Sequence, residues 1–191
     1  MRTRGSPVSR GVLAMGAAVG VAALLGGGSP ATAQDTVTPT APAKTISMRT
    51  TAKRMFFTGA STVKTGQLLR IRNLSNPRQH GPHTFTLVAT NLLPRSAKQG
   101  EQCFSPGRIC LTAAVAHEFD ERTEKVNKQL VEAGQPGWDK RFTRTSKTGD
   151  SWYSEKLGEE FSQVVSAKAG TVLRYLCVIH PNMQGRLRVT R

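Results

Sequence analysis

Cys177, His180 and Met183 follow one another at three-residue spacing in Leu176-Cys177-Val178-Ile179-His180-Pro181-Asn182-Met183-Gln184-Gly185, between two runs of strand character. A tight loop joining paired strands can bring all three side chains to one point. Thiolate, imidazole and thioether make a soft to borderline donor set, which suits copper. Zinc would more usually take a second thiolate or a carboxylate where Met183 stands. Such a site needs a second imidazole, and the other histidines are His80, His83 and His117. His83 opens a strand-like run directly after Pro82, which would hold the preceding loop, and it is the expected ligand. His80 lies three residues further out in a polar loop. His117 has no ligand-like neighbour and is expected to be a surface or partly packed side chain.

The chain has two other cysteines, Cys103 and Cys110, separated by Phe-Ser-Pro-Gly-Arg-Ile. Pro106-Gly107 can turn that segment back on itself, so a local disulfide is expected, with a metal pair as the alternative. A disulfide implies an oxidising compartment and would leave Cys177 as the free thiol.

Several short runs must position these residues. Thr45–Thr51, Met55–Thr58, Gln67–Asn73 and His83–Ala89 read as strands, and Leu69 and Ile71 alternate with Arg70 and Arg72 at the period of a half-buried strand. Strand character returns at Phe161–Ala167, Thr171–Cys177 and Gly185–Thr190. The stretch 91–157 differs and reads as an insertion. Within it, Val115, Phe119, Val126, Leu130 and Ala133 recur at helical spacing. Glu118/Arg122, Glu121/Lys125 and Glu124/Lys128 would form i,i+4 pairs, so one helix is predicted over Leu111–Ala133, ended by Gly134 and Pro136. Gly137–Ser154 is polar and basic and reads as irregular chain. Short strands broken by Gly and Pro argue for an all-β sandwich or barrel with this helix-containing insertion.

The N-terminus is a separate matter. Three arginines without an acid precede an apolar run from Gly11 to Leu25, and Ala31-Thr32-Ala33 offers small residues at both positions a signal peptidase reads. Residues 1–33 are therefore expected to be a secretory signal peptide, the run being shorter than the roughly 20 residues of a membrane span. Residues 34–45 read as a flexible Thr/Pro/Ala leader, and 46–191 as the folded domain. The expected location is periplasmic, extracellular or wall-associated, with no transmembrane segment in the mature chain. The whole chain of 191 residues carries 27 Lys+Arg against 12 Asp+Glu, a net charge of +15. An exported chain of this charge is drawn to anionic wall or membrane surfaces or to an acidic partner. The basic residues are scattered without a recognition motif, so no nucleic acid is expected. Three Cys and four His are too few for a multicopper oxidase or a zinc cluster. No nucleophile elbow or metalloprotease spacing is present, so no enzyme is expected.

The C-terminal block, from Gly158 through Gly170-Thr171-Val172-Leu173-Arg174-Tyr175-Leu176-Cys177 to Met183-Gln184-Gly185-Arg186-Leu187-Arg188-Val189, resembles the ligand hairpin of the small blue copper proteins, the cupredoxins of the plastocyanin/azurin group. Its short Cys-x-x-His-x-x-Met loop is most similar to that of amicyanin. Gly66–Asn73 with Pro82-His83-Thr84-Phe85 resembles the family's earlier strand pair and first histidine. The resemblance implies a cupredoxin-like Greek-key β-sandwich holding one type 1 copper ion. His83, Cys177 and His180 would lie near a trigonal plane with Met183 as a long axial ligand, and His180 would be the electron entry and exit point. A one-electron carrier with a redox partner protein is the function this implies. A copper storage or delivery protein, or a non-catalytic interaction module, is the alternative. Two departures stand out: Thr84 occupies a position often held by Asn, and the span from His83 to Cys177 is several tens of residues longer than usual.

Overall fold

The structure, a computed structural model, describes residues 41–131 and 137–191. The expected signal peptide and the first residues of the expected leader, up to 40, lie outside the described residues. Twelve strands are found among the described residues: β1 (Lys44–Thr51), β2 (Arg54–Gly59), β3 (Thr62–Lys64), β4 (Leu68–Asn73), β5 (His83–Val88), β6 (Phe119–Asp120), β7 (Lys125–Val126), β8 (Leu130–Val131), β9 (Ser151–Ser154), β10 (Glu160–Val164), β11 (Val172–Leu176) and β12 (Gln184–Thr190). Three short α-helices accompany them: α1 (Pro77–His80), α2 (Ala97–Glu101) and α3 (Ile109–Ala116).

One sheet has the order β10-β4-β1-β2 and the other β3-β12-β11-β5-β9-β8. Both are mixed, since β1 runs parallel to β4 and β3 parallel to β12. The architecture is the all-β sandwich with a helical insertion expected of a cupredoxin-like chain. The alternation in β4 does what its pattern requires: Leu69, Ile71 and Asn73 are buried while Arg70 and Arg72 lean toward solvent. Ile46, Met48, Leu69 and Ile71 of the first sheet pack with Phe85, Leu87, Leu173 and Leu187 of the second. Phe85 is the aromatic hub, its ring centroid 4.6 Å from Tyr175 and 5.1 Å from Trp138. Each such side chain contributes about 1.5–3 kcal/mol by leaving water.

The region 91–157 departs from expectation in three ways. First, the predicted helix over Leu111–Ala133 is short. Its helical part ends at Ala116, and β6, β7 and β8 follow; residues 132–136 lie outside the described part. Glu118 and Glu124 take φ of 54° and 53°, which no helix accommodates. The Asp120 carboxylate accepts the N–H groups of Arg122 and Thr123, closing a turn instead. The helical stripe also faces the wrong way, for Val115 is 67% and Phe119 40% exposed, while α3 buries Ile109, Cys110 and Ala113. Three i,i+4 pairs at about 0.2–0.5 kcal/mol each cannot outweigh that burial.

Second, the stretch read as irregular, Gly137–Ser154, supplies β9, which pairs with β5 in the register His83↔Ser154 to Thr86↔Ser151. Third, the Trp138 side chain enters the sandwich core, while its backbone N–H donates to the Val164 carbonyl at 2.9 Å. A second apolar core then forms on the outer face of the larger sheet. There Val88, Leu176 and Val178 meet Ile109, Ala113, Phe142 and the Cys103–Cys110 disulfide. Consequently all six residues of β5 are buried, on both faces.

Candidate metal centre

His83 opens β5, and Cys177 immediately follows β11, its antiparallel neighbour. His180 and Met183 lie in the connection from β11 to β12. That connection is closed by two backbone bonds, Cys177 N–H to Met183 O at 2.9 Å and Met183 N–H to His180 O at 2.8 Å. Pro181 and the turn following His180 keep it short, so Cys177 and His180 return to the same end of the sandwich as His83.

The result is a compact triangle. Cys177 Sγ lies 3.8 Å from His83 Nδ1 and 3.6 Å from His180 Nδ1, and the two nitrogens are 3.2 Å apart. A triangle with these sides has a centre about 2.1 Å from every corner, close to the first-row metal–nitrogen and metal–sulfur bond lengths of about 2.0–2.3 Å. His83 and Cys177 are fully buried and His180 is partly exposed. His83, rather than His80, meets the thiol. His80 ends α1 and is not part of the triangle.

The electrostatics suit a cation at that centre. Burial, reinforced by the charges of His180 and His80, pulls the pKa of His83 down to about 4. Burial also lowers that of His180, against the pull of the His80 carbonyl. Both rings are therefore neutral near pH 7, with lone pairs available. Burial pushes the Cys177 thiol up, while the backbone N–H groups of Thr84, His180 and Ile179 oppose it. Ionising a thiol raised in this way, beside two neutral rings, calls for a positive partner. Met183 is buried in the same core as Cys177. Two imidazoles, one thiol and a neighbouring thioether match the donor set of a type 1 copper site.

Thr84 does the tying that an Asn would do. Its N–H donates to Cys177 Sγ at 3.3 Å, and its Oγ1 accepts the Val178 N–H at 2.9 Å, linking the two ligand-bearing segments. Gln184 braces the loop from the other side, donating through Nε2 to the carbonyls of Pro94 and Pro181, both at 2.8 Å. Neither role is visible in the spacing of ligand-type residues. Beside His180, a shallow groove of about 620 Å³ is lined by Lys53, Arg54, Phe56, Ile179 and Pro181 among others, with the Arg54 guanidinium 4.7 Å over the Phe56 ring. His117 is the plain correction: it is 2% exposed, its Nδ1 donates to the Lys128 carbonyl, and its Nε2 lies 2.7 Å from Ser151 Oγ. No helix among the described residues is long and apolar enough to cross a membrane.

No family model matches the chain, and no curated protein sequence does. Among solved structures the chain is similar to a dithionite-reduced auracyanin from Roseiflexus castenholzii, at 17% identity over 77% of this chain and 97% of that one, with a TM-score of 0.39. It is similar to auracyanin A from Chloroflexus aurantiacus, at 18% identity over 78% and 100% with a TM-score of 0.39. A purple cupredoxin from Nitrosopumilus maritimus aligns at 12% identity over 76% and 98% with a TM-score of 0.38.

Proposed function

We propose that this chain is an exported type 1 copper protein that passes single electrons. His83, Cys177, His180 and Met183 would hold the ion. The observation that carries the reading is the triangle of two Nδ1 atoms and one Sγ around a point at bonding distance from all three. Copper, when bound, supplies the one-electron couple. What the protein supplies is a set of donors held still. Thr84 fixes the thiol segment, and Gln184 clamps the loop. Donors that need not move between oxidation states favour fast electron exchange.

Burial of His83 and Cys177 supports retention of the ion, which favours a carrier over a delivery protein. Four protein donors would leave no open position of the kind a catalytic metal keeps, so we infer no enzyme activity. Partly exposed His180 is the proposed electron port, and Lys53 and Arg54 beside it would favour an acidic partner. Export rests on the signal-like residues 1–33 and agrees with the Cys103–Cys110 disulfide.

Copper(II) titration of the processed protein tests the reading. One equivalent should produce an intense visible thiolate-to-copper band with reversible electrochemistry. Cys177→Ser should remove the band, and Met183→Leu should keep copper with a shifted potential. A Cys177→Ser variant that still colours would overturn the ligand assignment.

A further inference from the structure

In an antiparallel sheet with one solvated face, Thr84 and Thr86 of His-Thr-Phe-Thr-Leu-Val would point into water, opposite Phe85 and Leu87. Here the insertion covers that face, and both threonines are essentially unexposed. A hydroxyl buried without a partner is destabilising, so each must find one. Thr86 Oγ1 meets Thr84 Oγ1 at 3.0 Å and, straight across the sheet, Ser151 Oγ at 2.7 Å. Ser151 Oγ in turn meets His117 Nε2 at 2.7 Å, and His117 Nδ1 is 2.7 Å from the Lys128 carbonyl. A carbonyl has no proton to give, so Nδ1 carries one and donates. Burial lowers the His117 pKa and keeps the ring neutral, which leaves Nε2 as the acceptor for the Ser151 hydroxyl.

At the other end, Thr84 holds the Val178 amide next to Cys177 and gives its own N–H to the sulfur. With Ser151 donating to His117, the single Thr86 hydroxyl proton faces both Ser151 Oγ and Thr84 Oγ1, so buried polar contacts run from the Lys128 carbonyl, through His117, Ser151, Thr86 and Thr84, to the peptide that carries the thiol. His117 itself is anchored where α3 ends, its N–H on the Ala113 carbonyl and its carbonyl accepting the Lys128 N–H at 3.0 Å.

We propose that His117, acting through Ser151 and Thr86, is a positioning residue for the metal centre: it sets the rotamer of Thr84 and with it the placement of the Cys177 sulfur. The insertion thereby becomes part of the ligand-holding apparatus rather than an appendage. The proposal deepens the copper reading and rests on it only for its spectroscopic arm. The relay and the amide it holds belong to the protein with or without metal. A purely structural buried histidine would stabilise the insertion and leave the thiol alone.

The test has two readouts. One is hydrogen exchange of the Val178 amide in metal-free protein. The other is the position of the thiolate-to-copper band and the reduction potential of the copper-loaded protein. Thr86→Val keeps shape and removes only the hydroxyl, so it remains informative even if a variant at His117 fails to fold. Thr86→Val, Ser151→Ala and His117→Leu should each speed Val178 exchange by about 3- to 10-fold, the value of one hydrogen bond. They should also move band and potential in a common direction. His117→Gln, whose amide can replace Nε2 as acceptor, should restore most of both. The Thr86→Val/Ser151→Ala double variant should do no more than either alone, because one chain is cut twice. Thr112→Ala, in the same insertion but bonded only to the Arg108 carbonyl, should change neither. Unchanged Val178 exchange and an unmoved band in the relay variants, or equal changes in Thr112→Ala, would overturn the proposal. A wild-type protein that takes up no copper, with Val178 exchange still responding to Thr86→Val, would break the copper reading and leave the relay standing.

Discussion

The two faces of β5 are built by different means. Toward the sandwich, Phe85 and Leu87 pack among Tyr175, Trp138 and Leu173, and stability there is a matter of apolar area and shape. Toward the insertion, Thr84 and Thr86 are held by hydroxyls, one imidazole and a small apolar core fastened by the Cys103–Cys110 bridge. The first face tolerates no loss of volume but is indifferent to direction. The second holds its partners by direction, which suits the task of fixing a sulfur atom. The contrast teaches that one strand both closes a core and aims a ligand, with the two jobs assigned to alternate residues.

The largest effect should come from the apolar side. Phe85→Ala empties the centre of the aromatic group and should cost about 3–5 kcal/mol in urea unfolding, with loss of copper binding through the fold. A cost below about 1 kcal/mol would deny the hub its place. Next comes the fastener of the other face. Opening the short Cys103–Cys110 loop with Cys103→Ala/Cys110→Ala should cost about 2.5 kcal/mol by the loop-entropy relation, while the copper band persists at room temperature. Disappearance of the band in a still-folded double variant would mean the bridge, rather than the relay, sets the thiol.

Acid should weaken the ligand end through its histidines. The unfolded chain takes up protons on these rings near pH 6.5, whereas the folded metal-free protein holds His83 neutral down to about pH 4 and lowers His117 and His180 as well. Unfolded chains then bind more protons than folded ones in that window, so stability falls as pH falls through it. The urea midpoint of metal-free protein should drop between pH 7 and pH 5, and copper should shift that loss to lower pH because it competes with protons for the same nitrogens. A flat profile would contradict the burial of these rings.

Smallest in stability are the exposed charges. Lys53→Glu/Arg54→Glu should change unfolding by no more than about 0.5 kcal/mol. Oxidation of the reduced copper protein by ferricyanide, an anion, should nevertheless slow by about tenfold at low ionic strength, and the difference should fade with salt. An unchanged rate would move the electron port away from His180.

How much of this was legible beforehand follows the same division. The sandwich strands announce themselves by alternation, as Leu69 and Ile71 do between Arg70 and Arg72, and Cys177, His180 and Met183 by ligand type and spacing. The insertion misled because its pattern is ambiguous without tertiary context. Val115 and Phe119 fit a helical stripe, yet burial of His117 against Ser151 and the Asp120 turn ended α3 at Ala116. Strand β9 was missed because Ser-Trp-Tyr-Ser is short and buried on both faces, leaving no alternation to read. By strand alternation alone, Thr84 and Thr86 fall on the side that a single sheet leaves to water. Only the knowledge that another segment covers them turns them into parts of the site.

X-ray absorption at the copper edge of the metal-loaded protein addresses the central claim most directly, because it reports the donors around the ion. The triangle predicts one short copper–sulfur distance and two imidazole nitrogens at about 2.0–2.1 Å, with the sulfur signal lost in Cys177→Ser. A first coordination sphere of nitrogen and oxygen alone, unchanged when Cys177 is replaced, would contradict it.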